Sequence, residues 1–85
     1  MEFRQLEYFI AVVETGSISA ASRKVHVAQP ALTRQMRLLE EDVGTQLLDR
    51  HARGVRLTVP GQALYSEATR LLDERSDLKA LLLAL

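Results

Sequence analysis

Two glycines divide the first half of the chain into segments with the apolar periodicity of short helices. Residues 2 to 15 carry one stripe at spacings of three, four and three, and Gly16 follows it directly; the stripe is Phe3, Leu6, Ile10 and Val13. Gly44 ends a second stripe in the same way. A glycine after a periodic segment is typical of a helix C-terminus. Because helices this short are marginally stable alone, the sequence predicts that they pack together as one small helical domain.

Two helices joined by a short turn occupy the stretch between these glycines. Ser17 lies where an N-cap is expected, and "SISAASRKV" is typical of a short helix whose alanines allow close packing. "HVAQ" is the predicted turn. The third helix is predicted from Pro30 to about Val43, with Gln29 as its cap because a residue before proline disfavours helical geometry. A stretch of this length has the size of a helix-turn-helix.

The second half of the chain changes character twice. Residues 45 to 59 are basic around Arg53 and Gly54, and then alternate apolar and polar side chains from Val55 to Val59, which predicts a short hairpin. Pro60 suits the first turn of a long fourth helix. The predicted fold is therefore mainly α: a winged helix-turn-helix domain at residues 1–59, with the β-hairpin as its wing, followed by a linker helix at residues 60–85.

The fourth helix has a heptad pattern that continues to the last residue. Its apolar positions are Leu64, Ala68, Leu71, Leu78, Leu82 and Leu85, with Arg75 in a polar position between them. About 25 residues at 1.5 Å each give a rod of roughly 38 Å, which would project from so small a domain. The helix either packs back on its own core or pairs with a second copy, and the length of the pattern favours a homodimer. Because the pattern ends without a cap, we expect either that the sequence is cut within this helix or that the helix leads into a second domain.

Charged residues are unevenly distributed although the net charge is zero. No acidic residue occurs from Thr15 to Leu39 or from Arg50 to Ser66, whereas both runs contain arginines. A neutral chain can in this way have one basic face. Such gaps also arise by chance when 26% of the residues are charged, so the charge pattern alone leaves both interpretations open.

One face of the third helix carries side chains that are able to read base pairs. The apolar stripe lies on the other face; it is Leu32, Met36, Leu39 and Val43. An arginine fork binds guanine, glutamine binds adenine, and proline or threonine contacts the thymine methyl group. We therefore predict base contacts from Gln29, Pro30, Thr33 and Arg34, with Arg37 on the backbone. The wing arginines are expected on phosphates or in the minor groove. An ordinary solvated helix face is the alternative.

Other functional classes find little support in the residues. The chain has no cysteine, and His26 and His51 are far apart, without metal-ligand spacing, so no metal, cofactor or enzymatic activity is expected. The sequence has neither a membrane-spanning apolar run nor a signal-peptide core, and a cytoplasmic protein is expected. A protein-interaction or oligomerisation module built on the heptad helix stays open. Its binding would be much less sensitive to salt than DNA binding.

Three motifs together resemble the DNA-binding domain of LysR-type transcriptional regulators over nearly all of the chain. They are "FRQLEYFIAVVETGSISAAS", "VAQPALTRQMRLLEEDVGTQLLDR" and "RGVRLTVPG". The resemblance implies a winged helix-turn-helix that binds double-stranded DNA at an inverted-repeat operator, and a linker helix that dimerises antiparallel to its partner. It also implies a C-terminal effector domain of the periplasmic-binding-protein type. Full-length members are usually tetramers that activate or repress metabolic operons in response to a small-molecule inducer.

Position by position, the resemblance also implies residue roles. Base contacts are expected from Gln29, Pro30, Ala31, Thr33 and Arg34. Backbone or wing contacts are expected from Ser17, Ile18, Arg50 and Arg53, together with Arg37. Dimer contacts are expected from Leu64, Ala68, Leu71, Arg75, Leu78 and Leu82. Ala31, Leu48 and Pro60 depart from the family, in which proline, phenylalanine and alanine are common at these positions, so the apolar base contact at Ala31 is weakened. "RQLEYF" and "QPALTRQ" are similar to members that control aromatic-compound catabolism.

Overall fold

The structure, a computed structural model, describes residues 1–50 and 53–85 as four helices and a small antiparallel wing. In chain order the elements are α1 (Phe3–Thr15), α2 (Ile18–Val25), α3 (Gln29–Val43), β1 (Leu48–Asp49), β2 (Arg56–Leu57) and α4 (Val59–Ala84). The winged helix-turn-helix predicted from the sequence is confirmed. The part of the predicted wing at His51 and residue 52 lies outside the described residues.

The core lies between α1, α2 and α3 and is closed by the residues that lead into the wing. Its largest fully buried side chains are Phe9, Val12, Leu32, Met36, Leu39 and Leu48. The predicted stripe of α1 was wrong in part, because Phe3 is 46% exposed and Ile10 and Val13 are only half-buried. Three other helices pack against α1. The face that they cover therefore runs through Leu6, Phe9 and Val12, and it shares only Leu6 with the stripe that spacing alone selects.

The helix-turn-helix is held by backbone and capping hydrogen bonds. Ser17 is the N-cap of α2, as predicted, since its Oγ accepts a hydrogen bond from the amide of Ala20 at 3.0 Å. His26 ends α2 in the left-handed region, with φ of 58°. The predicted cap of α3 was wrong: Ala28 is the N-cap and Gln29 is the first helical residue. Pro30 at the second helical position loses only an amide that has no acceptor within the helix, so the helix begins one residue earlier than the proline rule suggests.

The wing is shorter than the sequence pattern indicates. Each strand has two residues, and Leu48 pairs with Leu57. The predicted alternation ends early because Val59 is already helical. The amide of Val55 donates to the carbonyl of Gly16 at 3.0 Å, and this bond attaches the wing to the turn between α1 and α2.

Helix α4 belongs to the core at one end and leaves it at the other. Thr58 caps the helix by accepting from the amide of Gly61 at 3.1 Å. Gly61 and Ala68 are buried, whereas every residue from Asp73 onward is exposed. The rod predicted from the heptad pattern is therefore confirmed for the second half of the helix. Its first half packs on the chain's own core, which was the alternative interpretation.

Gly61 is predicted to be required for the close approach of α4 to the segment before β1. A Cβ at Gly61 would lie 2.0 Å from the carbonyl oxygen of Leu47, and this oxygen is backbone that already accepts from the amide of Thr58. We expect Gly61→Ala to lower the free energy of unfolding by roughly 3 kcal/mol, measured by urea denaturation.

Gly44→Ala is the control for this substitution. Gly44 has φ of 78°, but a Cβ there meets nothing within 4 Å, so only backbone strain of roughly 1 kcal/mol is expected. Equal losses from the two substitutions would contradict the close-approach explanation.

Candidate nucleic-acid interface

The face of α3 opposite the core presents most of the residues predicted to read bases. Leu32, Met36 and Leu39 are 0–1% exposed and fix the rotation of the helix about its axis. The side chains on the other face are therefore turned outward. The exposed side chains there are Gln29, Pro30, Ala31, Arg34 and Arg37, and Thr33 is half-buried beside them.

The start of α3 leaves backbone donors unsatisfied. Ala28 has no side-chain acceptor for the first amides of the helix, and the first turn contains no acidic residue. The N-terminal end of a helix carries partial positive charge and binds anions readily. Since Arg34 and Arg37 lie one and two turns further along the same face, this end of α3 favours an anionic partner.

The predicted backbone residues at the start of α2 are partly used by the fold itself. The Ser17 hydroxyl oxygen caps the helix, and Ile18 is half-buried against the core. What remains for a ligand there is the N-terminal end of the helix. Arg23 and Lys24 lie further along α2 and are exposed; Lys24 pairs with Glu14 at 3.7 Å.

Arg53 is exposed at a wing that backbone contacts hold in place. Gly54, which follows it, has φ of 78°, and a Cβ there would lie 2.6 Å from the carbonyl oxygen of Gly16. Only glycine allows the wing to approach the turn before α2 so closely. Arg53 is thereby fixed relative to α2 and, through the core, relative to α3.

Arg50 is held by an acidic residue of the chain itself, which the sequence interpretation missed. Its Nη2 lies 2.9 Å from Oε1 of Glu40, and the two side chains are only 28% and 12% exposed. Oε2 of Glu40 also accepts from the amides of Leu47 and Leu48, at 2.7 and 3.1 Å. The guanidinium is therefore used to fasten the entry of the wing to α3, and we assign Arg50 a structural role.

The heptad residues of α4 fall into two groups. Ala68 is fully buried by the chain's own core, and Leu64 packs against the same core. Leu71, Leu78 and Leu82 are 41%, 58% and 63% exposed. Because α4 turns its first half toward α1, the heptad pattern alone could not separate core positions from surface positions.

Arg75, in the polar position of the heptad pattern, contacts α1 of the same chain. Its guanidinium lies 3.3 Å from Oε1 of Glu7 and 4.8 Å from the centre of the Phe3 ring. Phe3, a member of the predicted apolar stripe of α1, is thus 46% exposed but covered on one side by Arg75.

Sequence reasoning did not select Ser19. Its Oγ accepts from Nη1 of Arg23 at 3.0 Å and from Nε2 of Gln29 at 3.2 Å. The spacing of four residues from Ser19 to Arg23 was visible in the sequence, but the contact with Gln29 depends on how the two helices pack.

In the described parts of the chain, no three His, Cys, Asp or Glu side chains are grouped so that they could hold a metal ion. Among the same residues, no helix is both long and apolar enough to cross a membrane.

The chain as a whole is similar to bacterial helix-turn-helix regulators. Residues 3–62 match the family described as bacterial regulatory helix-turn-helix protein, lysR family. The HTH-type transcriptional regulator TcbR of a Pseudomonas species is 53% identical over 73 residues, which are 86% of this chain and 25% of TcbR. The chain thus spans about a quarter of that relative's length.

Two crystal structures are similar over the whole chain. The CbnR_DBD–DNA complex matches with a TM-score of 0.87 and 48% identity, covering 100% of both chains. A full-length BenM mutant matches with a TM-score of 0.96 and 41% identity, covering 100% of this chain and 28% of that one.

Glu40 is predicted to make stability depend on pH. Burial raises the pKa of Glu40, but the hydrogen bonds from Leu47, Leu48 and Arg50 outweigh it and hold the pKa below its ordinary value of 4.5. A lowered folded pKa means that the stabilisation is complete above the ordinary value and is lost as pH falls through the lowered pKa.

We expect Glu40→Gln to lower the free energy of unfolding at neutral pH by roughly 1–3 kcal/mol, because it leaves Arg50 without its charged partner. The loss of stability of this variant on acidification below pH 4.5 should be shallower than that of the native chain. Glu41→Gln, at the exposed neighbouring position, is the control and should change neither quantity. Identical acid unfolding of Glu40→Gln and the native chain would contradict this account of Glu40.

Proposed function

The chain belongs to the lysR family of bacterial regulatory helix-turn-helix proteins, and from that membership we propose that it is the sequence-specific double-stranded DNA-binding part of a transcriptional regulator. The main support is the outward face of α3, which is rich in side chains able to read bases and has no acidic residue in its first turn. A relative that is 48% identical over the whole chain has been crystallised as a complex with DNA.

The base contacts are assigned to the first half of α3, in the major groove. Arg34 offers a two-pronged donor for guanine, and Gln29 offers a donor and an acceptor for adenine. Pro30 and Ala31 offer apolar surface to a thymine methyl group, and Thr33 offers both a methyl and a hydroxyl group. All five side chains lie on the surface that the buried stripe of α3 turns outward.

The sequence-independent contacts are assigned to the edges of this surface. Arg53 lies at the wing, where it reaches backbone phosphates or the flanking minor groove. Arg37 extends the α3 face toward the backbone. At Ser17 and Ile18, the groups assigned to a phosphate are the backbone N–H donors at the N-terminal end of α2. The Ser17 oxygen and the Ile18 side chain are already used within the fold. Arg50 contributes to DNA binding indirectly, because its pairing with Glu40 fixes the position of the wing.

The second half of α4 is assigned to a homodimer. We treat residues 1–59 as the reading domain and residues 60–85 as the linker helix, although the first turns of that helix also complete the core. Exposed leucines continue along the linker and include Leu71, Leu78, Leu82 and Leu85. An unpartnered apolar row of this kind is typical of an interface. A two-fold dimer would read an inverted repeat.

An apolar groove continues this row at the base of α4. Its volume is about 320 Å³, and its lining includes Val43, Leu47, Pro60 and Leu64. An antiparallel pairing of two α4 helices centred near Asp73 sets the groove of one copy against Leu82 and Leu85 of the other. The cytoplasmic location expected from the sequence, and the inducer and effector domain expected from the resemblance, stay predictions.

The experiment that tests the function is selection from random duplexes. The 85-residue chain is bound to a pool of random double-stranded DNA at two salt concentrations, and the bound fraction is sequenced. We expect enrichment of an inverted repeat and affinity that falls steeply with salt, because bound phosphates release counterions. No enrichment together with a flat salt response would instead support the protein-interaction module based on the exposed leucines.

Substitution of Arg34 and substitution of Arg53 should weaken DNA binding in different ways. Arg34→Ala should relax the preference at one base-pair position, at a cost of roughly 1–3 kcal/mol. Arg53→Ala should weaken binding to all duplexes and reduce the salt slope by about one. Fluorescence anisotropy on the selected site and its single-base variants distinguishes the two effects. An unchanged preference in Arg34→Ala would refute its base-reading role.

Substitutions in α4 and the groove should weaken the dimer. Leu78→Asp puts a charge into the exposed row, and Val43→Lys puts one into the groove; each should raise the dimer dissociation constant at least roughly tenfold. Leu38→Lys is matched to Val43→Lys, since both residues lie on α3 and are 36% exposed, but Leu38 does not line the groove. Analytical ultracentrifugation measures the dimer. A native-like dimer in Leu78→Asp would overturn the assignment of α4, and equal effects of the two lysine variants would exclude the groove from the interface.

A further inference from the structure

One hydroxyl oxygen connects the two helices of the helix-turn-helix on their outward side. Ser19 is the second residue of α2 and is half-buried. Its Oγ accepts one hydrogen bond from Arg23, a turn further along α2, and a second from Gln29, the first residue of α3. Two donors occupy both lone pairs of a hydroxyl oxygen. Ser19 therefore links an exposed cation to an exposed amide assigned to base reading.

The bond to Ser19 fixes which atoms Gln29 presents. The side-chain amide of glutamine has two N–H donors and one carbonyl acceptor. Nε2 uses one donor on Ser19, and the other donor and Oε1 stay available. Adenine requires this combination on its major-groove edge, an N–H for N7 and a carbonyl for the N6 amino group. The donor that adenine uses is the one on the same side as Oε1, so the opposite donor can stay on Ser19 during recognition.

The same bond restricts a side chain that would otherwise be free. Gln29 is exposed, and a free glutamine loses rotamer entropy when a base immobilises it. A side chain already held before DNA arrives loses less, and such preorganisation raises affinity for the ligand that fits the held geometry. The benefit applies to the matching base and not to the others, so it appears as specificity.

We propose that Ser19 is a specificity-determining residue, which positions the Gln29 amide for adenine through the hydrogen bond to its Oγ. Ser19 acts through Gln29 and need not touch a base itself. The inference rests on the proposed DNA-binding function and adds to it a residue outside the recognition helix.

The test measures base preference and not only affinity. The native chain, Ser19→Ala, Ser19→Thr, Gln29→Ala and the double variant Ser19→Ala/Gln29→Ala are titrated by anisotropy on the selected duplex. They are also titrated on duplexes with each other base at the position whose preference Gln29→Ala removes. Ser19→Ala should reduce the preference for adenine there roughly two- to tenfold, the net worth of one hydrogen bond. Ser19→Thr keeps the hydroxyl group and should retain the preference.

Two comparisons separate this role from a merely structural one. In the Gln29→Ala background, Ser19→Ala should have no further effect on preference, because the amide it positions is gone. Arg23→Ala is the control for loss of a cation beside the same oxygen. It should weaken binding to all duplexes and reduce the salt dependence of that binding. Thermal unfolding of each variant checks the fold. Alanine is a favourable helix residue, so Ser19→Ala is expected to remain folded.

Each other outcome overturns the proposal at a defined level. Uniform weakening of all duplexes by Ser19→Ala, or an equal effect with and without Gln29, would make Ser19 a structural residue only. An unchanged base preference in Gln29→Ala would mean that the Gln29 amide reads no base, so that Ser19 has no base-reading group to position. In both cases a native chain that still enriches a salt-sensitive site leaves the proposed function standing. A native chain that enriches no site overturns the function and this inference together.

Discussion

The carboxylate of Glu40 connects the recognition helix to the wing, and the geometry of the reading surface depends on that connection. It accepts from two consecutive amides, of Leu47 and Leu48, and pairs with Arg50. Those amides precede and begin β1, so three groups of the wing entry are fixed to one point on α3. A carboxylate that is 12% exposed must be compensated in this way, because a buried charge without partners is strongly destabilising. The wing therefore cannot change its position relative to α3 without breaking several bonds at once.

A second attachment, immediately before β2, completes the frame. The amide of Val55 donates to the carbonyl of Gly16, which ends α1 immediately before the cap of α2. The wing is thus fixed to α3 at its entry and to the start of α2 at the residue before β2. Neither attachment uses a residue exposed on the outward face of α3. The side chains of that face can therefore be substituted without loss of either attachment.

Local chemistry in the sequence was sufficient to predict the helices and the wing, but not which side chains contact each other between them. Gly16 and Gly44 end their helices with positive φ, and Ser17 caps α2, because such signals act within one turn of the chain. The pairing of Arg50 with Glu40 was missed for a different reason: an arginine in a basic segment looks free until the fold brings Glu40 beside it. Ala68 was placed in a dimer seam because a heptad pattern records an apolar face and not what covers it. Ser19 was missed because its second donor, Gln29, approaches only when α2 and α3 pack.

The base of α4 sets the geometry of any dimer, since small angular changes there become large displacements. Gly61 and Ala68 bring the helix close to the core, while Arg75 and Tyr65 join it to Glu7 and Glu14 of α1 at 3.3 and 3.1 Å. Each of these surface contacts contributes little stability alone. Their effect is on direction: a tilt of about 5° at the base moves the end of a rod of roughly 39 Å by about 3 Å. One base-pair step along DNA is about 3.4 Å. Two reading surfaces joined through such rods therefore match half-sites at a fixed spacing only if the base of each rod is held as tightly as the small residues hold it here.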